Sequence, residues 1–139
     1  MNRIHFMFVC TAIALSGCAA PDPSAAYRGV PPKHGKSLTL TPEMSKAIQD
    51  SVRGKLKDPE SARFGKIAAG DVDGQTIVCG WVNAKNSYGG YIGMQPFFGY
   101  FPINSTKFDA EIIANGEIGV MGLRERCFKE GLYLPEPPV

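Results

Sequence analysis

Histidine is almost missing from this chain: of 139 residues only two are histidine, His5 near the start and His34 in a stretch crowded with proline. A Ser-His-Asp or Cys-His mechanism needs a base held in place by the fold, so neither is expected. Charge of one sign is also in short supply, with 15 basic against 13 acidic side chains. That near balance argues against nucleic acid as a partner. The N-terminal apolar run, Phe6 to Leu15, is too short to cross a bilayer as a helix. Glycine is frequent, but Gly89-Gly90-Tyr91-Ile92-Gly93 lacks the following lysine and helix of a phosphate loop. No cofactor is expected. Paired-carboxylate hydrolysis stays open as a remote alternative, because Asp71, Asp73, Asp109, Glu111 and Glu117 fall on or beside expected strands. Most of them suit turns or solvent-facing positions.

The N-terminus is more informative. Arg3 is its only fixed charge, Phe6 to Leu15 is apolar, and small residues follow, which is the order of a secretory signal. The run ends Leu15-Ser16-Gly17-Cys18, and here the sequence resembles a bacterial lipoprotein precursor, whose L-[ASTVI]-[GAS]-C box it matches at every position. The resemblance implies cleavage of residues 1–17 and acylation of Cys18, with palmitate-type chains holding the protein to a membrane in the cell envelope. Ala19 follows, where enterobacterial lipoproteins kept in the inner membrane typically carry Asp. The resemblance therefore favours the outer membrane, facing the periplasm. The competing reading is an ordinary cleaved signal with an incidental Cys18.

With the signal removed and Cys18 acylated, Cys79 and Cys127 are the thiols left in an oxidising compartment, and one disulfide between them is expected. Closing so long a loop would stabilise the fold by about 4 kcal/mol on the chain-entropy account. Two separately buried thiols are the alternative. A metal site is not expected, since His34 sits in the proline-rich stretch and no third and fourth soft ligand remain.

Residues 18–38 carry Pro21, Pro23, Pro31 and Pro32 among small and polar residues, a composition suited to a tether. Near polyproline II such a segment could reach roughly 60 Å. Residues 39–134 should form one small domain. Thr41-Pro42-Glu43 announces a helix, with Thr41 capping and Pro42 at the first position. Met44, Ile48, Val52 and Leu56 make its apolar face, while Lys46, Arg53 and Lys57 lie opposite. Gly54 inside this helix would mark close packing on the sheet. Asp58-Pro59 ends the helix and starts a single turn, with Phe64 as its apolar anchor.

The period then becomes strand-like. Phe64–Val72, Gln75–Lys85, Tyr91–Phe101, Lys107–Ala114 and Glu117–Leu123 are expected strands, and Asp73-Gly74 and Asn115-Gly116 expected hairpin turns. Asp71 to Gly74 has only a superficial likeness to a calcium loop. Arg124 to Gly131 should be a short helix, and residues 135–139 an extended, mobile tail. Alternation places Ile77, Cys79, Trp81 and Asn83 on one face of their strand and Val78, Gly80, Val82 and Ala84 on the other. Both faces are largely apolar, so the strand should be central, with the side away from the helix covered by the segment that Cys127 ties down. Phe97-Phe98-Gly99-Tyr100-Phe101 likewise offers aromatics to both faces.

Asp58, Pro59, Ser61, Ala62 and Phe64 form a D-P-x-S-A-x-F turn. Cys79, Gly80, Val82, Asn83, Lys85, Asn86, Ser87, Tyr88, Gly89, Gly90, Tyr91, Gly93, Pro96 and Phe97 follow in the pattern C-G-x-V-N-x-K-N-S-[YF]-G-G-Y-x-G-x-x-P-F. In these two motifs, over roughly residues 42–101, the chain resembles a widespread group of small bacterial envelope and phage-linked proteins. The resemblance implies a common small α+β domain and brings no activity with it. Two physical readings of the second motif compete. In one, Asn83, Asn86 and Ser87 brace a tight loop, glycines bend it and tyrosines pack over it. In the other, Lys85, Asn86, Tyr88, Tyr91 and Gln95 form a polar-aromatic patch that grips a glycan or a protein loop.

The expectation is thus an α+β domain, an N-terminal helix packed on a four- or five-stranded antiparallel sheet with one disulfide, anchored to a membrane by lipid. Its expected role is non-enzymatic binding or scaffolding with an envelope protein or glycan partner. An inhibitor or ligand-binding module using the Lys85–Tyr91 loop is the alternative.

Overall fold

A computed structural model describes residues 36–137. Cys18, the signal and most of the expected tether lie outside the described residues. Five antiparallel strands lie in sequence order, β1 (Lys36–Leu38), β2 (Arg63–Val72), β3 (Gln75–Asn83), β4 (Gln95–Phe101) and β5 (Asp109–Ile113). Helix α1 (Pro42–Arg53) separates β1 from β2, and helix α2 (Gly116–Lys129) follows β5. The α+β class is as expected, but the first helix is not N-terminal: β1 precedes it and pairs with β2 from Lys36↔Asp71 to Leu38↔Ala69. That strand falls inside the range read as tether. Its three residues gain order from the neighbouring strand, which local composition does not report.

Thr41 accepts the Met44 N–H at 3.2 Å, Pro42 opens the helix, and Glu43 sits in the first turn. The Glu43 carboxyl is held below its ordinary value, first by a backbone hydrogen bond and then by Thr41, as suits an anion at a helix N-terminus. Ile48 and Val52 are fully buried, each contributing on the order of 2 kcal/mol of apolar burial. The helix stops at Arg53 and Gly54 is its exposed C-cap. The expected close packing of Gly54 on the sheet is corrected accordingly: a Cβ there would meet only the Ser51 and Asp50 carbonyls of its own helix, at 3.4 and 3.6 Å, and no sheet residue.

The sheet has a core on each side. Ile48 and Val52 meet Val78, Val82, Phe97, Phe101 and Phe108 on one face. Ile77, Cys79, Trp81 and Phe98 meet Leu123, Cys127, Leu132 and Leu134 on the other. The two expected faces of β3 are therefore both dry, and the aromatics of β4 are divided between the cores. The Cys79–Cys127 disulfide, with Cα atoms 6.2 Å apart, joins α2 to the central strand.

Asp73 and Gly74 both take positive φ, 55° and 82°, the conformation a two-residue hairpin demands. The second expected hairpin is not formed. Asn115 precedes helix α2, and the strand expected over Glu117–Leu123 is part of that helix. Val120, Leu123 and Cys127 recur at helical spacing against the core, so burial and the disulfide override a local pattern that alternates. The helix expected from Arg124 to Gly131 is the second half of the same α2. In the expected tail, the Pro135 carbonyl accepts the Trp81 indole N–H at 3.0 Å, and Glu136 pairs with Arg124. No described helix is long and apolar enough to cross a membrane.

Candidate functional site

The second motif occupies the connection between β3 and β4. The strands stop at Asn83 and restart at Gln95, earlier and later than expected, and one bridge, Lys85↔Tyr91, closes the loop between them. Asn86 organises its tip. The Asn86 Oδ1 accepts the Tyr88 N–H at 2.9 Å and the Gly90 N–H at 3.2 Å. Its backbone donates to the Gly90 carbonyl, and its own carbonyl accepts from Gly89. Gly89 has φ 81°, which a residue with a Cβ rarely adopts. The loop is therefore tied at its base and across its tip by its own sequence.

The first motif supports the second. Asp58 caps a 3-10 turn, Pro59–Ser61, by accepting the Ser61 N–H. This presents Ser61 to the hairpin, where its Oγ accepts the Lys85 N–H at 2.9 Å and its carbonyl accepts the Tyr91 hydroxyl at 3.2 Å. Arg63 lies over the Tyr91 ring at 4.5 Å, and the Lys85 ammonium is 5.7 Å from the same centroid. Ser61 and Lys85, 24 residues apart in sequence, thus join the two motifs into one unit in space.

The five candidate binding residues accordingly divide. Asn86 and Tyr91 are occupied with the loop and its support. Tyr88 projects from the tip and is 96% exposed. Lys85, Asn86 and Gln95 line a cleft of about 250 Å³ together with Ile92, Leu56, Val82, Ile113, Lys55 and Lys57. Gln95 donates to the Ile92 carbonyl at 3.4 Å, and its Oε1 is buried with no partner. Lys55 and Lys57 complete this cleft although the sequence offers nothing to join them to a hairpin thirty residues on. They are brought there by the turn after α1.

A roomier cleft, about 510 Å³, lies toward α2 and is lined by Phe98, Tyr100, Glu111 and Arg126 among others. Two of its charged residues are spent on each other: Arg126 makes two hydrogen bonds to Glu111, at 3.0 and 3.1 Å, while stacked 3.8 Å from the Phe98 centroid. Of the other carboxylates expected on or beside strands, Asp71 accepts the Gly74 N–H and so serves the β2–β3 turn. Among the described residues no group of three or more His, Cys, Asp or Glu is placed to hold a metal. Comparison with protein-family models, with curated proteins and with solved structures finds no match to this chain.

Proposed function

We propose that the chain is a lipid-anchored bacterial envelope protein whose domain is a non-enzymatic binding or scaffolding module working through the Lys85–Tyr91 hairpin. The observation that carries the binding half is the pairing of a rigid loop with a free tip. Asn86 and Ser61 immobilise the backbone while Tyr88 stands almost wholly in solvent. A loop backbone already held in place loses little freedom on contact, which is what recognition favours. Support for the anchor comes from the Leu15-Ser16-Gly17-Cys18 box alone.

The two halves have separate tests. Cys18→Ala should release the protein from membranes, because several acyl chains on one cysteine hold far more strongly than one marginal chain. A variant that stays in the membrane pellet after a high-salt wash sinks the anchor. Crosslinking in intact cells, compared between the natural chain and Tyr88→Ala, addresses the hairpin. Capture of a membrane assembly that depends on Tyr88 supports scaffolding. Capture of one soluble enzyme with the same dependence favours the inhibitor reading, and an unchanged profile of crosslinked proteins means that the hairpin grips no protein partner.

A further inference from the structure

We propose that the hairpin end of the domain docks on an anionic lipid surface, with Tyr88 and Ile92 entering the headgroup layer and Lys55, Lys57 and Lys85 meeting lipid phosphates. This deepens the binding reading of the hairpin and names its counterpart. Charge is the first ground. No ion pair among the described residues involves any of these three lysines, which is equally so of Lys36, Lys66 and Lys107; what sets the three apart is that they lie together. Lys55, Lys57 and Lys85 line one cleft whose wall contains no acidic residue. The acids nearest the lining residues in sequence are Asp58, engaged in its cap, Glu60 on the same turn, and Glu117 in the first turn of α2.

Shape is the second ground. Tyr88, at 96% exposure, and Ile92, at 51%, belong to the same loop, and Tyr91 beside them is partly exposed. An exposed aromatic and an exposed aliphatic residue on one loop, with three lysines lining the cleft that Ile92 also lines, suit a fluid layer that closes around the tip. Tyrosine favours the membrane interface, and lysine stems extend their charges toward phosphate. A folded protein partner would need a matching concavity, whereas a lipid surface needs none. Each lysine near an anionic leaflet adds about 1 kcal/mol, or roughly fivefold in affinity.

The test uses the full chain carrying Tyr88→Trp, mixed with vesicles of phosphatidylcholine alone or with added phosphatidylglycerol, each prepared with and without brominated acyl chains. The introduced tryptophan should shift to the blue and be quenched by bromine only where phosphatidylglycerol is present. High salt should reverse both effects. Adding Lys55→Ala and Lys57→Ala should weaken the quenching-detected affinity by roughly 25-fold. The natural chain, whose one tryptophan is the buried Trp81, should show no quenching on any vesicle, reporting that the core stays closed to lipid. Absence of quenching on anionic vesicles, or equal quenching on both compositions, overturns the proposal. Pelleting with phosphatidylcholine vesicles separately reports any lipid or signal-borne attachment, so failure of the anchor and failure of docking give different results.

Discussion

Single residues in this domain are chosen for what they leave room for as much as for what they touch. A Cβ on Gly80 would lie 2.4 Å from the Phe97 ring, and that ring is fully buried in the α1-side core. Gly80→Ala should therefore cost about 1–3 kcal/mol as an overpacked core, read as a lowered denaturation midpoint with unchanged m-value. Ser61 is chosen for its contacts. Its Oγ donates to the Asp58 carbonyl at 2.8 Å and accepts from Lys85. Ser61→Ala strands a partly buried N–H and should cost about 1–3 kcal/mol. Tyr88→Ala should remain within about 0.5 kcal/mol of the natural chain. Comparing the two by thermal unfolding checks the division between a structural base and a free tip. If Tyr88→Ala proves as costly as Ser61→Ala, Tyr88 is bracing the hairpin after all.

At the scale of elements, the least secure piece is α2. It carries exposed Ile118 and Met121 as well as buried Leu123 and Cys127, and its first residues alternate like a strand. Its Asn115 makes no side-chain capping hydrogen bond. What holds it is the Cys79–Cys127 link and the seam of Leu123, Leu132 and Leu134 beneath it. Replacing both cysteines by alanine should cost up to about 4 kcal/mol for a loop of 48 residues. Hydrogen exchange should show α2 opening before β3. A non-reduced digest should yield the linked peptides directly, and two freely alkylated thiols would remove the staple. Helix α1, in contrast, has a cap, a proline start and a consistent apolar stripe. It also secures the far edge of the sheet, where Ser51 Oγ accepts the outward Ala110 N–H at 3.1 Å.

For the whole molecule, the sheet is a partition between two hydrophobic layers, with β3 and β4 giving side chains to both. Val52 belongs to one layer and Leu123 to the other. Val52→Ala and Leu123→Ala should each destabilise by about 2–4 kcal/mol. Their double mutant should be additive within about 0.5 kcal/mol, because the two sites share no packing partner. Strong coupling in urea unfolding would mean that the layers relax together through the sheet.

The start of α1, the Asp73-Gly74 turn, the central position of β3 and the pairing of Cys79 with Cys127 were legible in the sequence. Each rests on a local rule or on elimination: a cap beside a proline, paired positive-φ residues, apolar residues at both parities, and two remaining thiols. Tertiary structure alone decided the rest. Lys36–Leu38 is a strand because β2 offers it hydrogen bonds. Glu117–Leu123 is helical because its buried residues face a core and a disulfide that local periodicity cannot register. The hairpin could be read as a loop from Asn86 and its glycines, but its support by Ser61 and its nearness to Lys55 and Lys57 could not. Those contacts join segments whose separation in sequence carries no signal, and they exist only once the chain has turned twice around β2 and β3.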